Sequence, residues 1–195
     1  MKKEVRAAEL MARLNTDPNY LGRRSERDEA VRRRVAENEK AEAPLVQDLR
    51  DAGAQVSSVW DLVNTKTPYP QLLPILFAHL DRPYPPRVRE GIVRALAVPE
   101  SRSRWDELVN RYLAETDLTA NGMQWSLHVA IAAAADVSVL EQLIRLACDR
   151  RKGRNRALFV DALARIDDPR AKATLEELAN DPDLAEDVRR VTKRR

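Results

Sequence analysis

Few side chains in this sequence have the types and spacing that catalysis needs. Proton transfer or nucleophilic attack requires a base or nucleophile beside a positioned partner. The two histidines, His79 and His128, fall on different predicted helices, and each is expected to be a structural helical residue. Adjacent carboxylates, such as Asp106-Glu107, point about 100° apart on a helix and do not converge on one substrate. No zinc-protease, serine-hydrolase or phosphate-loop motif occurs, so the sequence predicts a protein that is not an enzyme and binds no metal or cofactor.

Positive charge between residues 150 and 156 is the clearest candidate for binding an anion. Five of these residues are basic: Arg150, Arg151, Lys152, Arg154 and Arg156. A phosphate or an acidic protein surface can dock on such a run. The run also follows the predicted C-terminus of a helix, where cations are favourable without any ligand. Both interpretations stay open.

Trp125 is the aromatic side chain best suited to a binding surface. It lies about 100° or more away from the apolar stripe of its predicted helix. When the helices that follow each predicted turn are aligned, Trp125 falls in one row with charged residues. The candidate partner-binding set is Arg87, Glu90, Arg94, Trp125, Arg154 and Asp161. An exposed tryptophan flanked by arginine is typical of a protein-binding hot spot. The alternative is that Trp125 packs between helical hairpins, while Trp60 and Trp105 are expected in the core.

The elements that position these residues are predicted to be helices alone. A chain of 195 residues is long enough for one domain or a short repeat array with a buried core. Alanine, leucine, arginine and glutamate dominate, and only two phenylalanines and five glycines occur, so the predicted fold class is all-α. The 34 basic and 31 acidic side chains give a net charge of +3 and are interleaved, which is typical of solvated helix faces.

Cysteine use and the lack of long apolar segments predict a cytoplasmic protein. Cys148 is the only cysteine, and its apolar neighbours predict a buried position. The charged residues that follow Met1 predict no signal peptide. No stretch approaches the roughly 20 apolar residues of a membrane span, so no membrane partner is expected.

Residues 1–66 are predicted to form an N-terminal helical cap. A helix is expected over residues 3–14. Ser25 is expected to begin the next helix as its N-cap, and Pro44 to mark a kink or a fresh start. Ser57 or Ser58 is then expected to cap a short third helix.

From residue 67 the chain repeats with a period near 33 residues. Segments 81–89 and 181–189 share an aspartate, a turn and Val-Arg at the same offsets, 100 residues apart, or three periods. Segments 93–97 and 160–164 share a Val-x-Ala-Leu-Ala pattern 67 residues apart, or two periods. We therefore expect four helical hairpins, over about 68–98, 101–135, 136–167 and 168–193. Their second helices should begin near residues 85, 121, 154 and 184.

These turns and paired helices resemble bacterial HEAT-like repeats. The closest parts are residues 168–178, beginning Asp-Pro-Arg, and residues 181–189, beginning Asp-Pro-Asp. The resemblance covers residues 68–195 and implies a right-handed α-solenoid whose second helices line the concave side. It also implies that the turn aspartate and the following arginine bond between neighbouring repeats. The expected pairs are Asp81 with Arg89 and Asp181 with Arg189.

The resemblance implies a binding function without naming the partner. We expect a non-catalytic scaffold that binds another protein on its concave face, as an adaptor, an assembly factor or an immunity-type inhibitor. The alternative is nucleic-acid binding, because some HEAT-like proteins are alkylpurine DNA glycosylases that hold DNA in a basic concave groove. Trp125, Arg94, Arg154 and Asp161 fit that alternative. The near-neutral charge and the acidic residues beside most of the arginines argue against it.

Overall fold

The protein is helical throughout the part of the chain that the structure describes. The computed structural model describes residues 7–63, 65–116 and 122–193, with side chains from residue 10 onward. Every regular element in these ranges is a helix, which confirms the predicted all-α class. Contacts along the chain divide it into two compact units, residues 1–41 and residues 42–195.

The first unit contains helix α1 (Ala7–Leu14) and the start of the long helix α2 (Pro18–Asp51). Asp17 caps α2, because its Oδ1 accepts hydrogen bonds from the backbone N–H groups of Asn19 (2.9 Å) and Tyr20 (3.4 Å). The predicted N-cap at Ser25 is therefore wrong, since that residue lies two turns inside the helix. From residue 10 to residue 41 every described side chain is at least partly exposed.

The end of α2 belongs to the second unit and is anchored there by polar contacts. A fresh helix start at Pro44 is wrong, because α2 continues through it. Glu42 accepts hydrogen bonds from the Ser58 hydroxyl (3.0 Å) and from the Val59 N–H, at the start of helix α3 (Trp60–Val63). The Ser58 hydroxyl in turn accepts from the Trp60 N–H at 3.2 Å, so the predicted cap at Ser58 is confirmed.

The rest of the second unit consists of four helix pairs. The first helices of the pairs are α4 (Leu73–Leu80), α6 (Trp105–Ala114), α8 (Leu140–Cys148) and α10 (Pro169–Leu178). The second helices are α5 (Pro86–Ala95), α7 (Met123–Ala134), α9 (Ala157–Arg165) and α11 (Ala185–Thr192). Each second helix begins within three residues of the predicted position. Short 3-10 turns precede the first helices α4, α6 and α8 and the second helix α9.

The helices bury one core between the two members of each pair and between neighbouring pairs. Each first helix packs on the second helix of its own pair. The second helices also pack in series, α5 on α7, α7 on α9 and α9 on α11, while α3 packs on α5. Leu96 and Leu163, which occupy equivalent positions in the repeat, are both fully buried. Cys148 is exposed, which corrects the predicted buried position: it is the last residue of α8, where the buried face has already ended at Ala147.

Ion pairs do join neighbouring hairpins, but the expected partners are wrong. Asp81 accepts from Arg111 of α6 at 2.8 Å, and Asp181 accepts from Arg156, just before α9, at 3.1 Å. Arg89 and Arg189 form no ion pair within the described ranges. Each turn aspartate faces the adjacent hairpin, so its partner comes from that hairpin and not from the helix that follows the turn.

None of the described helices is by itself long and apolar enough to cross a membrane. Residues 123–134 and 137–148 pass that test only as a pair, and the pair is bent by 118°.

Gly91 sets how closely α3 approaches α5. A Cβ at this position would lie 2.5 Å from Val59 Cγ1 and 2.8 Å from Trp60 Nε1. We expect Gly91→Ala to lower the free energy of unfolding by about 1–3 kcal/mol, because the backbone or the indole must shift to admit the methyl group. Gly22→Ala is the control, since that helical glycine has no atom within 4 Å of the added methyl group. It should be neutral or stabilise by up to about 1 kcal/mol. Urea unfolding of the three proteins measures both effects, and equal stability of Gly91→Ala and the parent would contradict the close approach.

Candidate protein-binding surface

The six predicted partner-binding residues lie on the second helices or just before one of them. Arg87, Glu90 and Arg94 lie on α5, Trp125 on α7 and Asp161 on α9. Arg154 lies in the 3-10 turn that leads into α9. Because α5, α7 and α9 pack in series, the helices that carry the set are neighbours.

The charged residues of α5 form a chain of ion pairs. Glu90 lies between two arginines, with its Oε2 3.3 Å from Arg87 Nη1 and its Oε1 3.9 Å from Arg94 Nε. The guanidinium of Arg87 also stacks over the ring of Trp60, 3.5 Å from the ring centre. Trp60 is half-buried, which corrects the expectation that it lies in the core. The indole of α3 therefore carries an arginine from α5 on its outer face.

The charged residues near α9 are paired with α11. Arg190 of α11 donates two parallel hydrogen bonds to Asp161, at 2.9 and 3.0 Å, and a third to Asp187 at 3.2 Å. These hydrogen bonds to carboxylates raise the pKa of Arg190 above its usual value. Arg154 lies 3.5 Å from Asp187 and 3.7 Å from Glu186. Asp161 and Arg154 are thus already neutralised by the neighbouring helix.

Trp125 lies at the border between the surface and an aromatic cluster in the core. Its side chain is half-buried, and its ring meets the ring of His128 edge-on, with 5.9 Å between centroids. His128 is fully buried and contacts Phe159 at 4.0 Å and Tyr112 at 5.9 Å. The inner edge of Trp125 is therefore fixed by packing, while its outer part remains available to a partner.

His128 is buried without a hydrogen bond. Neither ring nitrogen has a partner among the described residues, and burial lowers the pKa of His128 to about 3. His79 has the opposite environment, since its Nε2 donates to Asp48 and its Nδ1 bonds the Tyr84 hydroxyl, each at 2.7 Å. Both histidines lie on helices, as predicted, and both are buried, which the sequence did not predict; only His79 has its hydrogen bonds satisfied.

The basic run does not form a continuous free patch. Arg156 is fully buried, and Arg151 folds back onto Asp149 with two hydrogen bonds of 2.8 and 2.9 Å. Arg150 Nε lies 3.5 Å from Asp181, although its side chain is largely exposed. Lys152 stands over the ring of Tyr112 at 5.3 Å. The positive charge of the run is therefore mostly compensated in the structure.

The contacts of the described residues connect only part of the predicted set. They join Arg87, Glu90 and Arg94, but no hydrogen bond, ion pair or ring contact of these ranges links that group to Trp125. Three residues that complete the surface, Trp60, Asp187 and Arg190, were not predicted from the sequence. Arg190 was detectable, because it follows Asp161 by 29 residues, close to the repeat period.

Both carboxylates of the predicted set, Glu90 and Asp161, are held by arginines. Within the described ranges no three histidine, cysteine or acidic side chains come together as metal ligands.

The buried His128 predicts acid sensitivity. Its folded pKa of about 3 lies below the ordinary value near 6.5, so the unfolded chain takes up the proton first as the pH falls. The stability associated with the neutral ring is complete above pH 6.5 and decreases as the pH falls from 6.5 to 3. We expect His128→Leu to remove a slope of up to about 1.4 kcal/mol per pH unit from the free energy of unfolding in this window. Urea unfolding at several pH values measures the slope, and parallel curves for the parent and the variant would contradict the burial of a neutral ring.

Comparisons with known proteins identified no relative of this chain. No protein-family model, no curated protein and no solved structure matches this chain.

Proposed function

We propose that this protein is a non-catalytic scaffold that binds another protein on the surface formed by its second helices. The observation that carries the proposal is the combination of a half-exposed Trp125 with arginines that are already paired. Arg87 and Arg94 lie beside Glu90, and Arg154 lies beside Asp187. An aromatic anchor amid compensated charges is suited to a protein partner.

The architecture in this proposal is a short right-handed α-solenoid of HEAT-like hairpins. Residues 1–66 form its N-terminal cap and residues 67–195 its four repeats. Polar contacts between hairpins at separations close to the proposed period support it: Arg111 bonds Asp81 and Arg190 bonds Asp161, at separations of 30 and 29 residues. Asn155 bonds Gln124 at a separation of 31 residues. In such a solenoid the second helices line the concave side, where one partner segment can contact several repeats.

Trp125 is the proposed hot spot. Its contact with the buried His128 holds the indole in place, so little side-chain entropy is lost when a partner covers the outer part of the ring. The ion pairs on α5 and near α9 lie on or beside helices that pack against α7, and in this proposal they form a polar rim that gives orientation more than affinity. The same surface fits an adaptor, an assembly factor or an immunity-type inhibitor acting in the cytoplasm.

Nucleic-acid binding is the alternative, and one feature favours it. A cleft of about 440 Å³ near the end of α11 is lined by four basic and two acidic side chains: Arg154, Arg189, Arg190, Lys193, Glu186 and Asp187. The side chains of Arg189 and Lys193 form no ion pair or hydrogen bond with the described residues and are free to contact phosphates. The paired state of Arg154 and Arg190 weakens this alternative.

The test uses the full-length protein as bait in its native host, with DNA binding measured on the same preparation. We expect Trp125→Ala to weaken the affinity for the captured protein partner by about 30-fold or more, because a central aromatic anchor contributes about 2 kcal/mol to the binding free energy. Leu21→Ala, a truncation at an exposed site in the first unit, is the control and should have no effect. Thermal melts check that each variant is folded.

DNA binding predicts a different pattern. Neutralising Arg150, Arg151 and Arg154 together would then weaken binding to all sequences alike. The slope of log affinity against log salt concentration would fall by about one unit for each phosphate that the variant no longer touches. Tight, strongly salt-dependent DNA binding that Trp125→Ala leaves intact would overturn the proposed function.

A further inference from the structure

An open groove runs between the first helices α6 and α8. Residues at the same i, i+3, i+4 and i+7 spacing line its two walls: Asp106, Val109, Asn110 and Leu113 on α6, and Gln142, Arg145 and Leu146 on α8 with Asp149, which directly follows α8. This part of the groove measures about 330 Å³. A second part of about 530 Å³ continues toward the N-termini of both helices and shares three of these residues. The two parts meet at the three shared residues, Asp106, Gln142 and Arg145.

A bridge of side chains holds the two walls of the groove at a fixed distance. Trp105 is buried, and its indole N–H donates to the amide oxygen of Gln142 on α8. The amide nitrogen of Gln142 donates back to Asp106 at 3.1 Å. The floor below this bridge includes the buried Leu146. The groove is therefore preformed, which lowers the entropic cost of filling it.

Among the described residues that line the groove, a single cation lacks a partner. Most of the charged groups are paired, as Arg102 is with Asp136 (2.8 Å) and Arg151 with Asp149 (2.8 Å). Arg104 and Glu107 pair with each other, and Glu141 pairs with Arg170 of α10. Arg145, where the two parts of the groove meet, makes neither an ion pair nor a hydrogen bond within the described ranges. An anionic group of a ligand would meet a full positive charge there.

An exposed apolar side chain lines the groove near Arg145. From residue 42 onward, the described chain exposes only two large hydrophobic residues, Leu113 (48%) and Val137 (55%). Leu113 lines the C-terminal end of the groove. Val137 directly precedes Ser138 and Val139 in the sequence, which line the other part. The groove thus combines the Arg145 cation with the exposed apolar surface of Leu113.

We propose that the groove between α6 and α8 binds an acidic, amphipathic segment of a partner protein. A carboxylate of the segment pairs with Arg145, and an apolar side chain covers Val109 and Leu113. A helix of ten residues such as α6 is about 15 Å long, which matches nearly three helical turns of a ligand. This site goes beyond the proposed function, because it lies on the first helices and does not use Trp125.

The test selects peptides from a random twelve-residue library displayed on phage, using the full-length protein as target. The enriched peptides should contain an aspartate or glutamate within one helical turn of a large apolar residue. A synthetic peptide of the enriched sequence, followed by fluorescence anisotropy, should lose at least 10-fold in affinity for Arg145→Glu and several-fold for Leu113→Ser. Both positions are exposed, and circular dichroism melts confirm that the variants are folded.

Arg189→Glu is the matched control, because it makes the same charge reversal at an exposed arginine of α11 that lies outside the groove, and it should leave the affinity unchanged. Trp125→Ala should also leave the affinity for the peptide unchanged. The peptide experiment can therefore fail without contradicting the proposed function, which depends on Trp125. The proposal is overturned if no peptide is enriched, if Arg145→Glu binds as well as the parent, or if Trp125→Ala abolishes binding. Self-association of the chain that Arg145→Glu prevents would likewise overturn it, since a second copy would then fill the groove.

Discussion

The buried pair of Arg156 and Asp181 is the interaction on which the end of the array depends. Arg156 is fully buried, yet it donates to the carbonyls of Gly153 (2.8 Å) and Ala147 (3.0 Å) and to both Asp181 oxygens. Burial raises the pKa of Asp181, but the Asp183 N–H and Arg156 outweigh it, so that pKa lies below its usual value. Removing a charge from water costs several kcal/mol, and only complete pairing offsets that cost. The turns before α9 and before α11 are therefore fixed in one relative position.

The same use of charge explains the character of the binding surface. Several arginines of the second helices are paired with carboxylates of the same or the next helix, as Arg190 is with Asp161, whereas Arg89 and Arg189 form no ion pair within the described ranges. In the proposed function the half-buried Trp125 is the feature that a partner recognises. On the first helices, Arg145 stays unpaired within the described ranges and lines the same groove as the exposed Leu113. The two proposed binding surfaces therefore differ in their chemistry.

The elements were more predictable from the sequence than the contacts between them. The apolar periodicity located the second helices, and at the start of α10 Asp168 is the N-cap before Pro169, with its side chain accepting from the Arg170 N–H at 2.8 Å. Periodicity shows which residues share a helix face, but not which long side chain reaches an adjacent hairpin. Arg156 was therefore counted with a surface run although it is buried. The groove was not predicted, because apolar periodicity marks only the buried stripe of each helix, whereas Leu113 lies off the buried stripe of a first helix.

A double-mutant cycle on Arg156 and Asp181 tests the central claim most directly. Urea unfolding would be measured for Arg156→Met, Asp181→Asn and the double variant, with Arg151 and Asp149 as an exposed control pair from the same turn. Each single substitution should cost about 3–5 kcal/mol, because it leaves a buried charge without its partner. The loss of unfolding free energy in the double variant should be smaller than the sum of the two single losses by about 2 kcal/mol or more. For the control pair, the loss in the double variant should nearly equal the sum of the single losses. Additive costs at Arg156 and Asp181, within about 0.5 kcal/mol, would show that the pair does not couple the two hairpins.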